Sequence, residues 1–174
     1  MNSNKNKKPR VLGLAPCVQG IGFIVFDEPD LPIDWGVKWA RGDKNEKGVA
    51  KVAALIERYQ PDLLVFEDHR GKGSHRAKRI EDLLDAIASL ATRHKIPFAR
   101  YPRNHVRRRF AAEGAATKYQ IATAIAAAFP ELAPRLPAVR KIWLPEHANL
   151  SLFDATALVL TDFSERAAAP ARAA

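Results

Sequence analysis

Residues 11–40 read VLGLAPCVQGIGFIVFDEPDLPIDWGVKWA. Residues 11–14 and 20–26 are short apolar runs joined by five residues, which is the pattern of two buried strands and a tight connection. A third strand is predicted at residues 33–40. Because the three segments follow one another so closely along the chain, we expect them to pair as an antiparallel meander.

After residue 40 the pattern changes to alternating helices and strands. Apolar residues recur at helical spacing from Val49 to Ile56, and Gln60 and Pro61 end that helix. Residues 62–67, DLLVFE, hold four consecutive apolar residues, which is typical of a strand covered on both faces. Further elements are predicted as a strand at 97–101 and helices at 80–90, 104–112, 117–129 and 146–163. The order predicts an α/β fold, a mixed sheet of three antiparallel strands and then parallel strands with helices on both faces, which resembles ribonuclease H-like folds.

The chain of 174 residues has the length of one domain, which we place at residues 10–163. Residues 1–9 are rich in Asn and Lys, and residues 164–174 are rich in Ala without a bulky apolar anchor. Both ends are therefore predicted to be disordered tails. No apolar run is long enough to span a bilayer, and the N-terminus lacks the apolar middle of a secretory signal. We expect a cytoplasmic protein without a membrane partner.

The formal net charge of +9 and the sequence pI near 9.9 indicate a polyanionic partner. Nucleic acid is the first candidate, because Lys and Arg that neutralise phosphates release condensed counterions, and an anionic membrane surface is the second. The single cysteine, Cys17, excludes an internal disulfide and a metal site built from several cysteines.

Two basic segments, residues 69–79 and 93–109, are candidates for binding a phosphate backbone. The first, HRGKGSHRAKR, follows Glu67 directly, and its GKGS stretch lacks the spacing of a nucleotide-binding loop. A solvated charge run is the ordinary alternative for such segments. The candidate DNA-binding residues are Arg70, Lys72, Arg76, Lys78, Arg79, Arg103, Arg107 and Arg108.

Four stretches, taken in order, resemble the RuvC family of Holliday-junction resolvases. They are GLAPC at 13–17, the strand ending in Glu67, the run VRRRFAAEGAATKYQI at 106–121, and FDATALVL at 153–160. None of the four motifs is specific alone, and the resemblance rests on their order and separations. It covers about residues 10–163.

The resemblance implies a metal-dependent, structure-selective endodeoxyribonuclease that hydrolyses phosphodiesters of Holliday or other branched DNA as a homodimer. Glu67 and Asp154 match the family's catalytic metal ligands, and Lys118 matches the lysine placed near the scissile phosphate. Such a site uses two Mg²⁺ or Mn²⁺ ions, one activating water and one steadying the leaving oxygen. Mg²⁺ suits it because this ion prefers oxygen ligands.

The sequence departs from the family pattern at two ligand positions. The family's first aspartate corresponds to Ala15, and the acidic or histidine partner three residues before Asp154 corresponds to Ser151. Three residues are weighed as substitute ligands: Ser151 itself, His147 and Asp68. A helix starting near residue 146 would place His147 on the face of Asp154, whereas Asp68 can join Glu67 only if the strand ends there.

Two alternatives to a nuclease remain open. A catalytically impaired or inactive DNA-binding RuvC homologue would keep the basic surface and lack metal chemistry, as Ala15 and Ser151 suggest. A sugar-kinase or actin-like nucleotide domain shares the opening strand-turn-strand, but it needs a duplicated second half for which this chain is too short.

Overall fold

The computed structural model describes residues 8–71 and 74–172. Most of the predicted N-terminal tail, residues 1–7, lies outside the described residues, as does Lys72. The described chain forms one five-stranded sheet in the order β3-β2-β1-β4-β5. Its strands are β1 (Val11–Pro16), β2 (Gly20–Glu28), β3 (Leu31–Trp39), β4 (Leu63–Glu67) and β5 (Phe98–Tyr101). Strands β1 to β3 pair antiparallel, and β4 is parallel to both β1 and β5, which confirms the predicted mixed sheet.

The central strand β1 is buried along its whole length, and its residues alternate between the two faces of the sheet. Leu12 and Leu14 belong to the core on one face, whereas Val11 and Ala15 belong to the core on the other. Because β1 and β4 run parallel as neighbours, their carboxyl ends meet at the same edge of the sheet. That edge carries Ala15 and Glu67.

Helices cover both faces, as predicted. Helices α1 (Lys44–Tyr59) and α2 (Lys78–Arg93) pack on one face. Helices α3 (Arg103–Ala111), α4 (Lys118–Ala128) and α5 (Leu150–Arg172) pack on the other. A short 3₁₀ turn at Ala133–Arg135 interrupts the Pro-rich connection between α4 and α5. None of the described helices combines the length and the apolar character needed to cross a membrane.

Helix α5 lies directly against the sheet because glycines face it. A Cβ atom added at Gly22 would come within 2.2 Å of the Ser151 backbone, and one at Gly13 within 2.8 Å of the Ala155 carbonyl oxygen. Real Cβ atoms do not approach backbone so closely, so these positions require glycine. This close packing fixes the start of α5, and with it Asp154, against β1 and β2.

Two predictions about the last helix are wrong. The helix begins at Leu150 rather than near residue 146, and it continues to Arg172, so residues 164–172 are helical rather than a disordered tail. The tail was predicted because it lacks a bulky apolar anchor, but polar side chains hold this part of α5. The contacts that anchor it to α3 are His105 Nε2 to Glu165 Oε1 at 2.8 Å and Arg109 Nε to Ser164 Oγ at 2.9 Å, while Arg166 Nε donates to Asp162 Oδ2 within α5 at 2.6 Å.

Candidate active site

A pocket opens at the sheet edge where β1 and β4 end, beneath α4 and α5. It brings together the residues that the sequence singled out: Glu67 from β4, Asp154 from α5, Lys118 from α4, and Ala15 from β1. Ala15 and Glu67 lie on the sheet face that α5 covers. Ala15 packs in the core on that face, and Glu67 shares a face with Leu63 and Val65 of the same core, because side chains alternate along a strand. The remaining lining residues are Arg76, Tyr101, Arg103, Val106, Arg107, Ile121, Ala157 and Leu158.

Glu67 is the buried end of an apolar strand. All five residues of β4 are buried, and Glu67 itself is 6% exposed. A carboxylate at such a position needs a partner, because an unpaired buried charge is costly. Arg76 supplies it: Nε donates to Oε2 at 3.0 Å and to Oε1 at 3.2 Å, and Nη2 donates to Oε2 at 2.5 Å.

Lys118 is the first residue of α4. Thr117 caps this helix through a reciprocal capping box with Gln120, which fixes the helix start and therefore the lysine. A positive charge is unfavourable at a helix N-terminus, where the macrodipole is already positive. Two acids offset it here, because Lys118 Nζ lies 2.7 Å from Asp154 Oδ2 and 2.5 Å from Glu146 Oε1.

The environment of Asp154 disfavours its charged form. Burial raises the pKa of Asp154 above its ordinary value, while the charge and hydrogen bond of Lys118 and the charge of Arg103 lower it. The charge of Glu146 adds to the upward shift. Asp154 therefore depends on the basic side chains around it to stay ionised.

Glu146 is the acid of this site that the sequence analysis missed. It lies in the connection before α5 and lines a second cavity, shared with Arg76, Lys118 and Asp154. Its only sequence signal was its place just before the last predicted helix. Neither the residues 145–147 nor their spacing to Asp154 indicated that it would share Lys118.

The donor set does not fit the two-metal site that the resemblance implies. Ala15 offers a methyl group, and the Ser151 hydroxyl is buried and donates to the Ala148 carbonyl at 2.6 Å. Within residues 8–71 and 74–172, no three His, Cys, Asp or Glu side chains are close enough together to hold a metal ion. The resemblance would place a metal-binding aspartate at position 15, and Ala15 has no oxygen to offer to a metal ion.

The two other candidate substitutes lie elsewhere. Asp68 accepts the Arg70 backbone N–H at 3.1 Å and does not line either cavity. His147 precedes α5 rather than lying on it, so the predicted shared helical face with Asp154 is wrong. Its Nδ1 accepts the Asn149 backbone N–H at 3.2 Å, and the residue lines only the second cavity.

The predicted DNA-binding residues divide into two groups. Arg76, Arg103 and Arg107 line the pocket. The others that the structure describes lie outside its lining, and three of them are engaged locally. Those contacts are Arg70 Nη2 to Asp85 Oδ1 at 3.1 Å, Lys78 Nζ to Asp82 Oδ1 at 2.5 Å, and Arg79 Nη2 to the Cys17 carbonyl at 3.3 Å; Arg108 is exposed on α3.

No protein-family model matches the sequence, and no curated protein is similar enough to count as a match. Solved structures do match. One of T. thermophilus RuvC in complex with Holliday junction substrate is similar with a TM-score of 0.61 and 19% identity, covering 91% of this chain and 96% of that chain. A second Thermus thermophilus RuvC structure gives 0.60 and 19%, covering 90% and 95%. A yeast mitochondrial Holliday junction resolvase, at 0.46 and 13%, is too distant to add to the argument. The chain therefore has a RuvC-like fold.

Proposed function

We propose that this protein binds branched DNA with the RuvC-like pocket and its basic surroundings, and that in the sequence as it stands the pocket does not assemble a two-metal nuclease centre. This is the alternative in which the protein is a catalytically impaired or inactive DNA-binding RuvC homologue. The observation that carries it is the composition of the pocket: Ala15 replaces a ligand, and the carboxylates of Glu67 and Asp154 are each paired with a basic side chain of the chain itself.

The charge of the pocket supports a DNA partner. Its lining holds four basic and two acidic side chains, so the cavity has a net positive charge. It stays positive when Glu146, which lines the neighbouring cavity, is included. Lys and Arg side chains grouped around a concave site are suited to phosphate oxygens, and arginine adds bidentate geometry. The +9 charge of the whole chain acts in the same direction.

The choice of branched over linear DNA rests on the fold. The similar T. thermophilus structure is of RuvC in complex with a Holliday junction substrate, and the match spans nearly the whole of both chains. We further propose a homodimer, because two copies would present two pockets to the arms of one junction. Light scattering of the purified protein with and without a junction tests that part.

A synthetic four-way junction and a linear duplex of the same sequences test the main proposal. We expect tighter binding to the junction, and no nicked product with Mg²⁺ or Mn²⁺ over incubation times that suffice for an active resolvase. Equal affinity for junction and duplex would refute the junction assignment. Cleavage that requires Mg²⁺ or Mn²⁺ and disappears in Glu67→Gln would refute the proposal that the pocket has no nuclease activity.

A metal-dependent endonuclease that uses Mg²⁺ or Mn²⁺ is the second candidate, and Glu146 is the observation that favours it. Glu146 and Asp154 both contact Lys118 Nζ within 2.7 Å, so a further carboxylate lies beside one of the two predicted ligands. In that case Glu146→Gln should abolish cleavage as Glu67→Gln does, whereas an uninvolved surface acid such as Glu57 should not.

A further inference from the structure

We propose that Arg76 and Lys118 are fixed cations that take over the charge role of metal ions, so that the pocket holds a DNA phosphate without any divalent ion. This inference rests on the proposed function, and it deepens it by naming the groups that bind the phosphate and the ion they replace. In this arrangement Glu67 and Asp154 are positioning residues, which hold the two cations in place.

One edge of the Arg76 guanidinium is bound to Glu67, which leaves its other N–H donors for a phosphate. Its Nε and Nη2 atoms bond Glu67, and no other hydrogen bond to its side chain is found within residues 8–71 and 74–172. The side chain is 19% exposed and lines both cavities. A guanidinium carries five N–H donors in a rigid fork, so one edge can hold Glu67 while Nη1 remains for an incoming oxygen.

The pKa of Arg76 agrees with this arrangement. Burial lowers it, but the hydrogen bond and charge of Glu67, with the charges of Asp154 and Glu146, outweigh burial and raise it overall. The guanidinium is therefore charged at every working pH, as a metal ion would be. A fixed positive charge in a concave, partly buried site attracts a phosphate more strongly than the same charge on an open surface.

Lys118 supplies the second fixed charge of the pocket. It comes from the start of α4, is 24% exposed in its side chain, and is held by Asp154 and Glu146. Each of the two cations is thus paired with a carboxylate, and both cations line the two cavities. Arg103 and Arg107 from α3 line the first of these cavities and add two positive charges.

The ordinary explanation is that both are structural ion pairs. It accounts for the Arg76–Glu67 bond, because a buried carboxylate needs a partner. It also accounts for Lys118, whose contacts with Asp154 and Glu146 offset a positive charge at the helix start. It does not explain why four basic side chains line a pocket with only two acids.

The test measures junction binding by fluorescence anisotropy, in EDTA and in Mg²⁺ at matched ionic strength. Simple removal of Arg76 would leave Glu67 buried and unpaired, so the comparison uses Glu67→Gln as the parent. The test variant is Glu67→Gln/Arg76→Ala, and the control is Glu67→Gln/Arg58→Ala, which removes an exposed charge in the last turn of α1, outside both basic segments. Circular dichroism melts confirm that all three fold.

We expect the wild-type protein to bind the junction at least as tightly in EDTA as in Mg²⁺. The Arg76 variant should lose about tenfold in affinity beyond its parent, and the slope of log Kd against log salt should fall by about one. A purely structural arginine would leave that slope unchanged. Glu67→Gln/Arg76→Lys should restore the slope and only part of the affinity, because lysine keeps the charge without the fork.

Either of two results overturns the inference. One is a requirement of wild-type binding for Mg²⁺; the other is an Arg76 variant whose salt slope and affinity match those of the Arg58 control. If the protein shows no preference for a junction over duplex, the proposed function fails instead. The two failures are thus distinguishable.

Discussion

Replacing Ala15 by aspartate is the sharpest test of the site, because it adds the ligand that the family pattern has and this chain lacks. Ala15 is 3% exposed and shares its pocket with Glu67 and Asp154. The two cations that hold the acids of the pocket are not free for a third carboxylate, since Arg76 is already bonded to Glu67 and Lys118 to Asp154. Leaving one buried charge uncompensated costs about 3 kcal/mol.

For a chain of this size, 1 kcal/mol corresponds to a Tm change of about 2–4 °C. We therefore expect Ala15→Asp to melt about 6–12 °C below wild type in EDTA, by differential scanning calorimetry. If the new carboxylate completes a metal site, Mg²⁺ or Mn²⁺ should recover the loss. Saturation at a hundred times Kd is worth about 2.7 kcal/mol.

Ala15→Asn is the matched control, because it has the shape of aspartate without its charge. It should lose less stability than Ala15→Asp and show no response to metal. The same samples incubated with a four-way junction report cleavage. Two outcomes would refute the reasoning: a wild type that is stabilised by Mg²⁺ as strongly as Ala15→Asp, or an Ala15→Asp variant with an unchanged Tm in EDTA.

Three further predictions concern the elements that hold the site. Gly22→Ala places a Cβ 2.2 Å from the Ser151 backbone, so it should push α5 from the sheet and lower the free energy of unfolding in urea by about 3 kcal/mol. Gly114→Ala is the control: its Cβ meets open space, and only the positive φ at this position should lower the same free energy, by about 1 kcal/mol. Burial raises the pKa of Asp154, so the folded state binds its proton more tightly than the unfolded state does, and this carboxyl opposes folding increasingly as pH rises through its folded pKa. Asp154→Asn should therefore gain stability relative to wild type as pH rises from about 4, the ordinary value, toward the raised folded pKa, and a constant difference over this rise would contradict the assignment. Asp162 is 1% exposed and accepts from Tyr101 at 2.9 Å, so Asp162→Ala should cost about 3 kcal/mol and increase hydrogen exchange in the C-terminal part of α5, while Glu131→Ala, an exposed acid in the connection, should do neither.

The sheet could be predicted from the sequence because its signals are local. Residues 11–40 hold three apolar segments with short connections, and the four apolar residues before Glu67 mark a strand that is covered on both sides. The antiparallel pairing of the first three strands follows from those patterns, whereas the sequence did not assign the pairing of β4 with β1 and β5. The structure shortens or lengthens these strands by a few residues and leaves their order unchanged.

The C-terminal part of α5 could not be predicted in this way. Its anchors are polar pairs between residues far apart in the chain, such as His105 with Glu165 and Arg109 with Ser164. A pattern search for apolar residues at helical spacing has no access to such pairs. The same limitation hid Glu146, whose partner Lys118 lies 28 positions away.

The alanine at position 15 and the two cations that pair with Glu67 and Asp154 are physically linked. A cage of three or four carboxylates repels itself unless metal ions are bound, so its folded state depends on metal at neutral pH. With only Glu67 and Asp154 left, one guanidinium and one ammonium suffice to neutralise the buried acids. Once neutral, the pocket no longer interrupts the basic surface around it. A phosphate can then approach without a metal ion to shield it from the acids, which is why we expect EDTA to leave junction binding intact while it removes any stability that Ala15→Asp gains from Mg²⁺.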